Sequence, residues 1–135
     1  MFRFPDRYSA IHVKSSLATI GEKKSLMRRI GVEIVVRLRQ MSVHGANMSV
    51  ELKRQALVAL KSELRGLKSV EFRLWFKERV KGGEKERRLV TETLVGLMGI
   101  FRGLEIVIVR GTGWLDDENE TRAIVMACEE RLRAA

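Results

Sequence analysis

The sequence predicts an α/β fold: alternating helix–strand repeats that form a mostly parallel, three- to four-stranded sheet with helices mainly on one face. Three observations predict it. Val32–Leu38, Val70–Phe76 and Leu104–Val109 all read apolar-Glu-apolar-x-apolar-x, with their glutamates 38 and 34 residues apart. Stretches of helical apolar spacing separate these strands, and such alternation calls for parallel strands joined by right-handed crossovers. The first two strands alternate apolar with charged side chains, whereas sheets covered on both faces use continuously apolar strands. One sheet face is therefore expected to be open.

Taken in order, Phe2-Arg3-Phe4 alternates and reads as a short edge strand ended by Pro5-Asp6. Tyr8 to Ile20 places apolar residues at 10, 13, 17 and 20, a helical spacing, and Gly21 ends it. Glu22 to Ile30 reads as a basic linker or short helix. In the strand Val32–Arg39, Val32, Ile34, Val36 and Leu38 share one face, and Glu33, Val35, Arg37 and Arg39 the other. Ser49 is the expected N-cap of a helix from Val50 to Leu67 that buries Leu52, Ala56, Ala59, Leu60, Leu64 and Leu67.

In the strand Ser69–Lys77, Val70, Phe72, Leu74 and Phe76 oppose Glu71, Arg73, Trp75 and Lys77. A turn at Lys81–Glu84 leads to a helix over Lys85–Phe101, with Val90, Leu94, Leu97, Met98 and Phe101 inward. Gly96 and Gly99 each cost that helix about 1 kcal/mol against alanine, which points to close packing there. Leu104–Arg110 is apolar on both sides and is expected to be better covered than the other strands. Asp117 and Glu120 have capping-box spacing for a last helix that buries Ile124, Ala127, Cys128 and Leu132.

At 135 residues the chain is expected to form a single domain, 1–135, that buries roughly two thirds of its unfolded surface. Its 45% hydrophobic and 32% charged residues argue against disorder. One cysteine excludes an internal disulfide framework, the first residues lack an apolar signal-peptide core, and no stretch is a good membrane span. An intracellular protein without membrane contact is expected. The net charge of +9 is uneven: +6 over residues 1–41, +5 over 42–81, +1 over 82–111 and −3 over 112–135. That asymmetry suits an anionic partner such as nucleic acid, though small basic proteins without one share it.

If the strands stack with their shared motif in register, Glu33, Glu71 and Glu105 form a row about 4.8 Å apart. Such a row repels by about 1 kcal/mol per pair in water, so neighbouring arginines must offset it. The bland reading is a salt-bridged exposed face. The functional reading is a recognition face centred on Trp75 and flanked by Arg37, Arg39, Arg73 and Lys77. An aromatic among arginines is the composition of interface hot spots and of single-strand nucleic-acid platforms.

No catalytic constellation accompanies it. His12 and His44 lack ligands at metal spacing, and Cys128 sits on an apolar stripe as inert core. Gly82-Gly83 and Gly111-Thr112-Gly113 lack the Lys-Ser/Thr of phosphate loops. An enzyme is not expected, nor a cofactor or metal.

The period and one-sided helices resemble a leucine-rich-repeat-like α/β solenoid, preferred here to a doubly wound three-layer fold. Phe2-Arg3-Phe4, Leu17, Ile20-Gly21, Leu26, Ile30 and Val32–Val36, with Ile100–Val107 later, resemble uncharacterised fungal proteins related to F-box proteins. The resemblance implies a region that recruits a protein partner, downstream of a ligase-docking F-box segment that this chain does not contain. The sequence thus points to a non-enzymatic module that binds a protein through its exposed sheet face. The alternative is a basic nucleic-acid-binding protein using the first 81 residues. Homodimerisation through the open face or a free sheet edge is a third expectation.

Overall fold

Four strands align in a single all-parallel sheet in the order in which they occur along the chain. The computed structural model describes residues 2–4, 10–36, 48–76, 83–111 and 118–133. Strands β1 (Phe2–Phe4), β2 (Arg29–Val36), β3 (Ser69–Phe76) and β4 (Glu105–Arg110) alternate with helices α1 (Ala10–Ile20), α2 (Met48–Glu63), α3 (Gly83–Met98) and α4 (Glu118–Arg133). Short 3-10 helices follow α1 (Gly21–Leu26) and α3 (Gly99–Phe101). Gly21 takes φ +67°, the left-handed conformation that ends α1 where the sequence expects it.

Each crossover steps to the next strand in the same direction, and right-handed steps of that kind put every helix on one face. The core confirms it. Phe4 of β1, Ile30, Val32, Ile34 and Val36 of β2, and Val70, Phe72, Leu74 and Phe76 of β3 are all buried on one side of the sheet. They form one cluster with Val13 and Leu17 of α1, Leu57 and Leu60 of α2, Leu94 and Met98 of α3, and Ile124 and Cys128 of α4. At its centre Phe72 and Phe101 meet edge to face, with ring centroids 5.7 Å apart at 65°. None of Val35, Trp75, Val107 or Val109, on the opposite side, joins that cluster. The sheet is a two-layer structure whose second face carries no helix among the described residues. No helix among them is long and apolar enough to cross a membrane.

The register corrects several expectations. Glu33 pairs with Arg73, Glu71 with Gly31 and Val107, and Glu105 with Ser69, so the glutamates form no row. The strands stack two residues out of step with the shared motif. A two-residue shift keeps every side chain on its own face, so the core survives while the neighbours across strands change.

β4 is not the best-covered strand: its side chains are half-buried or exposed, because it forms the sheet edge and half of them lie on the helix-free side. On α2, Leu57 is buried and Leu52 is 47% exposed. At about 100° per residue the buried arc centres near Leu60, leaving Leu52 at its margin. Leu64 and Leu67 are buried beyond the end of α2, Ala127 and Leu132 are half-buried, and α2 begins at Met48, so Ser49 lies inside it. Gly96 is exposed with open space where a Cβ would stand, and Gly99 has only ordinary contacts with Arg102 and Leu132, so close packing explains neither. The expected cap Asp117 and the strand-ending Pro5-Asp6 lie outside the described residues.

Candidate functional site

The helix-free face is built from alternate residues of the four strands. In register, Arg3, Gly31, Glu71 and Val107 form one row, Glu33, Arg73 and Val109 the next, and Val35 and Trp75 the third. Gly111 closes the third row: its N–H donates to the Leu74 carbonyl at 2.7 Å, continuing the β3–β4 ladder past the end of β4. A Cβ on Gly111 would stand 2.6 Å from Cδ2 of Trp75. The indole therefore lies against the bare backbone of Gly111.

Charge on this face is arranged in neighbouring pairs of opposite sign. Gly31 offers no side chain between Arg3 and Glu71, and the Arg3 guanidinium reaches across it to within 3.3 Å of a Glu71 carboxylate oxygen. That approach is an ion pair without hydrogen-bond geometry, since the same oxygen is enclosed and has no hydrogen-bond partner. Glu33 stands beside Arg73 on the adjacent strand. Opposed charges at such positions contribute about 0.2–1 kcal/mol, in place of the repulsion expected of a glutamate row. Arg73 is half-buried, and its Nε is enclosed with no hydrogen-bond partner. Its remaining guanidinium nitrogens make no ion pair among the described residues. The face divides into a charge-balanced half of Arg3, Glu33, Glu71 and Arg73 and an apolar half of Val35, Trp75, Val107 and Val109.

Of the residues singled out in the sequence, Arg73 and Trp75 share this face; Arg37, Arg39 and Lys77 lie outside the described residues. Reading the sequence missed Arg3, which enters only through β1 pairing, and Gly111, which the register alone brings beneath Trp75.

Several described basic residues gather at one end of the sheet, where Arg29, Ser69 and Glu105 make a further row of the same face. Lys23, Arg29, Arg65, Lys68 and Arg102 are exposed along the edge where β2, β3 and β4 begin. The backbone stitches that edge together: the Arg28 carbonyl accepts from the N–H groups of Lys68 and Ser69, and the Lys68 carbonyl from Glu105. Glu22 and Glu105 are the exposed acids there. Glu63 is tied to Lys24 at 2.9 Å, a bond that holds its carboxyl below the ordinary range.

Burial pushes the Cys128 thiol up to about 12, so it stays protonated. Among the described residues no three His, Cys, Asp or Glu side chains are grouped to hold a metal. A hollow of about 400 Å³ between α3 and α4 mixes Arg87, Arg88 and Arg131 with Glu84 and Glu92. A second cleft, of about 460 Å³, runs along β4 beside the end of α4.

No family model matches the chain, and no curated protein or solved structure is similar to it.

Proposed function

We propose that this protein is a non-enzymatic interaction module that binds a protein partner through the helix-free sheet face. One observation carries the reading: that face sets a contiguous apolar patch with a tryptophan at its corner beside two arginines and two glutamates. Protein interfaces place aromatic and arginine anchors in a desolvated centre within a polar rim. A nucleic-acid platform would carry excess positive charge, whereas the described charges of this face cancel. The resemblance to F-box-related proteins supports the same direction, because their repeat regions recruit a protein partner.

The test is affinity capture from extracts of the source cells, with the bound proteins quantified for the wild type and for Arg73→Glu and Val109→Asp. A partner held by the open face is lost in both variants while their thermal midpoints stay close to the wild type. A capture profile unchanged by both substitutions contradicts the reading.

The alternative, nucleic-acid binding, draws support from the band Lys23, Arg29, Arg65, Lys68 and Arg102 where the strands begin. Five phosphate contacts give an affinity that falls with salt at a log–log slope of about −4. Titrating labelled single-stranded RNA and duplex DNA against salt, with Arg29→Glu and Lys68→Glu as controls, separates the two readings. Absence of binding at low salt removes the alternative.

A further inference from the structure

β4 is the last strand of the sheet, and the ladder to β3 uses only alternate residues of it. The N–H groups of Glu105 and Gly111 donate inward, to Lys68 and Leu74. In a parallel pair this alternation turns the N–H and C=O of Ile106 and Ile108 away from β3. Among the described residues nothing pairs with them. The side chains of Ile106 and Ile108, with Leu104 and Leu132, line the 460 Å³ cleft that runs along this edge. Natural edges are blunted by lysine, proline, bulges or covering loops. Ile106-Val107-Ile108-Val109 has no charge or proline, and its pairing with β3 runs without interruption.

We propose that the outer edge of β4 pairs antiparallel with β4 of a second copy, making one eight-stranded sheet about a two-fold axis at Val107. A two-fold perpendicular to the sheet keeps both helix layers on the same side. It sets Ile106 opposite Ile108 of the second copy, and Ile108 opposite its Ile106. Both are outward-facing residues, so each pair exchanges two hydrogen bonds, as the narrow pairs of an antiparallel ladder require. Val107 then meets Val107 of the second copy on the open face as a close, non-bonded pair. Glu105 falls opposite Val109, so no like charges oppose each other.

Charge separates a second copy from other occupants of the edge. Strands lie in the sheet in chain order, so charge varies across it: residues 1–81 carry +11 and residues 82–135 carry −2. Joining β4 edges brings the nearly neutral ends together and keeps the basic ends apart. Pairing through β1 would do the reverse. A foreign strand would gain the same hydrogen bonds but neither the symmetric isoleucine register nor this separation of charge. The proposal does not depend on what the open face binds.

Sedimentation equilibrium of the full chain over a concentration series tests it. The wild type is expected to reach twice the 15.5 kDa of one chain. Val107→Lys, at a half-exposed position, sets lysine against lysine at the axis, so its mass falls to one chain with circular dichroism and thermal midpoint retained. An equimolar mixture of Val107→Lys and Val107→Glu regains the doubled mass. Ile108→Pro removes an outward donor without touching the β3 ladder and also stays at one chain, which keeps the test informative should Val107→Lys fail to fold. A wild type that remains at one chain mass overturns the proposal. So does a doubled mass that survives Val107→Lys or Ile108→Pro, or a mixture that does not recover.

Discussion

At Gly111 the missing Cβ is what lets the Trp75 indole settle across the end of the β3–β4 ladder. Adding a methyl there would bring carbon to 2.6 Å from the ring, and the contact atoms belong to a rigid bicycle, so the whole indole would have to turn about χ1 and χ2 to make room. Gly111→Ala is therefore expected to destabilise by about 1–3 kcal/mol, the usual range for overpacking. Urea denaturation checks it, and a double-mutant cycle assigns the cause. In a Trp75→Ala background the same methyl meets no ring, so most of the penalty disappears. Full additivity would place the strain elsewhere. None of this was legible from the residues alone. Trp75 reads correctly as an open-face residue from strand alternation, yet Gly111 reads only as the start of a loop. Their meeting depends on the register between β3 and β4. Arg3 is a similar case, since its reach to Glu71 depends on β1 pairing with β2 and on the bare Gly31 between them.

The elements themselves were largely readable, because the amphipathic periods that define them are local. The inward residues of β2 and β3 are buried as alternation requires, and the stripe of α3 closes over them. Register was not readable: the repeated Glu motif aligned the strands two residues away from where they pair, and only packing between helices and sheet decides such a shift. Edge position was also hidden, since apolar residues on both sides of β4 look the same in a central strand and in an exposed one. α4 shows a further consequence of packing. Cys128 faces the core from this helix, and burial raises its thiol from an ordinary value of 9.0 to about 12. The unfolded chain ionises first as pH rises. The stability contributed by the neutral buried thiol is thus fully present below pH 9 and is lost as pH climbs towards 12. Between pH 7 and pH 10 the wild type is expected to lose about 1 kcal/mol more than Cys128→Ala, measured from urea midpoints at both values. Equal losses in the two proteins would show that the thiol is already solvated in the folded state.

For the molecule as a whole, the decisive property is asymmetry between the two faces of the sheet. Three crossovers stepping in one direction, and α4 after the last strand, place the apolar helix stripes on one side, and the four strands spend their inward residues there. The other side is left with a mixture that no core would select: paired charges next to a tryptophan and three valines. We propose that partner binding uses that face because it is the broad surface that carries no helix among the described residues. Pairing of two β4 edges would extend it, setting the Val107 and Val109 patches of two chains side by side. Everything proposed for partner binding rests on the face being open in solution. Thiol modification measures this directly, with the native Cys128 as a protected internal standard. In folded protein at neutral pH, a cysteine placed by Val35→Cys or by Val109→Cys is expected to react at a rate within about tenfold of the unfolded chain, while Cys128 reacts only as the protein opens globally. Protection of both introduced thiols to the level of Cys128 would contradict the account, because the sheet would then be covered on both faces.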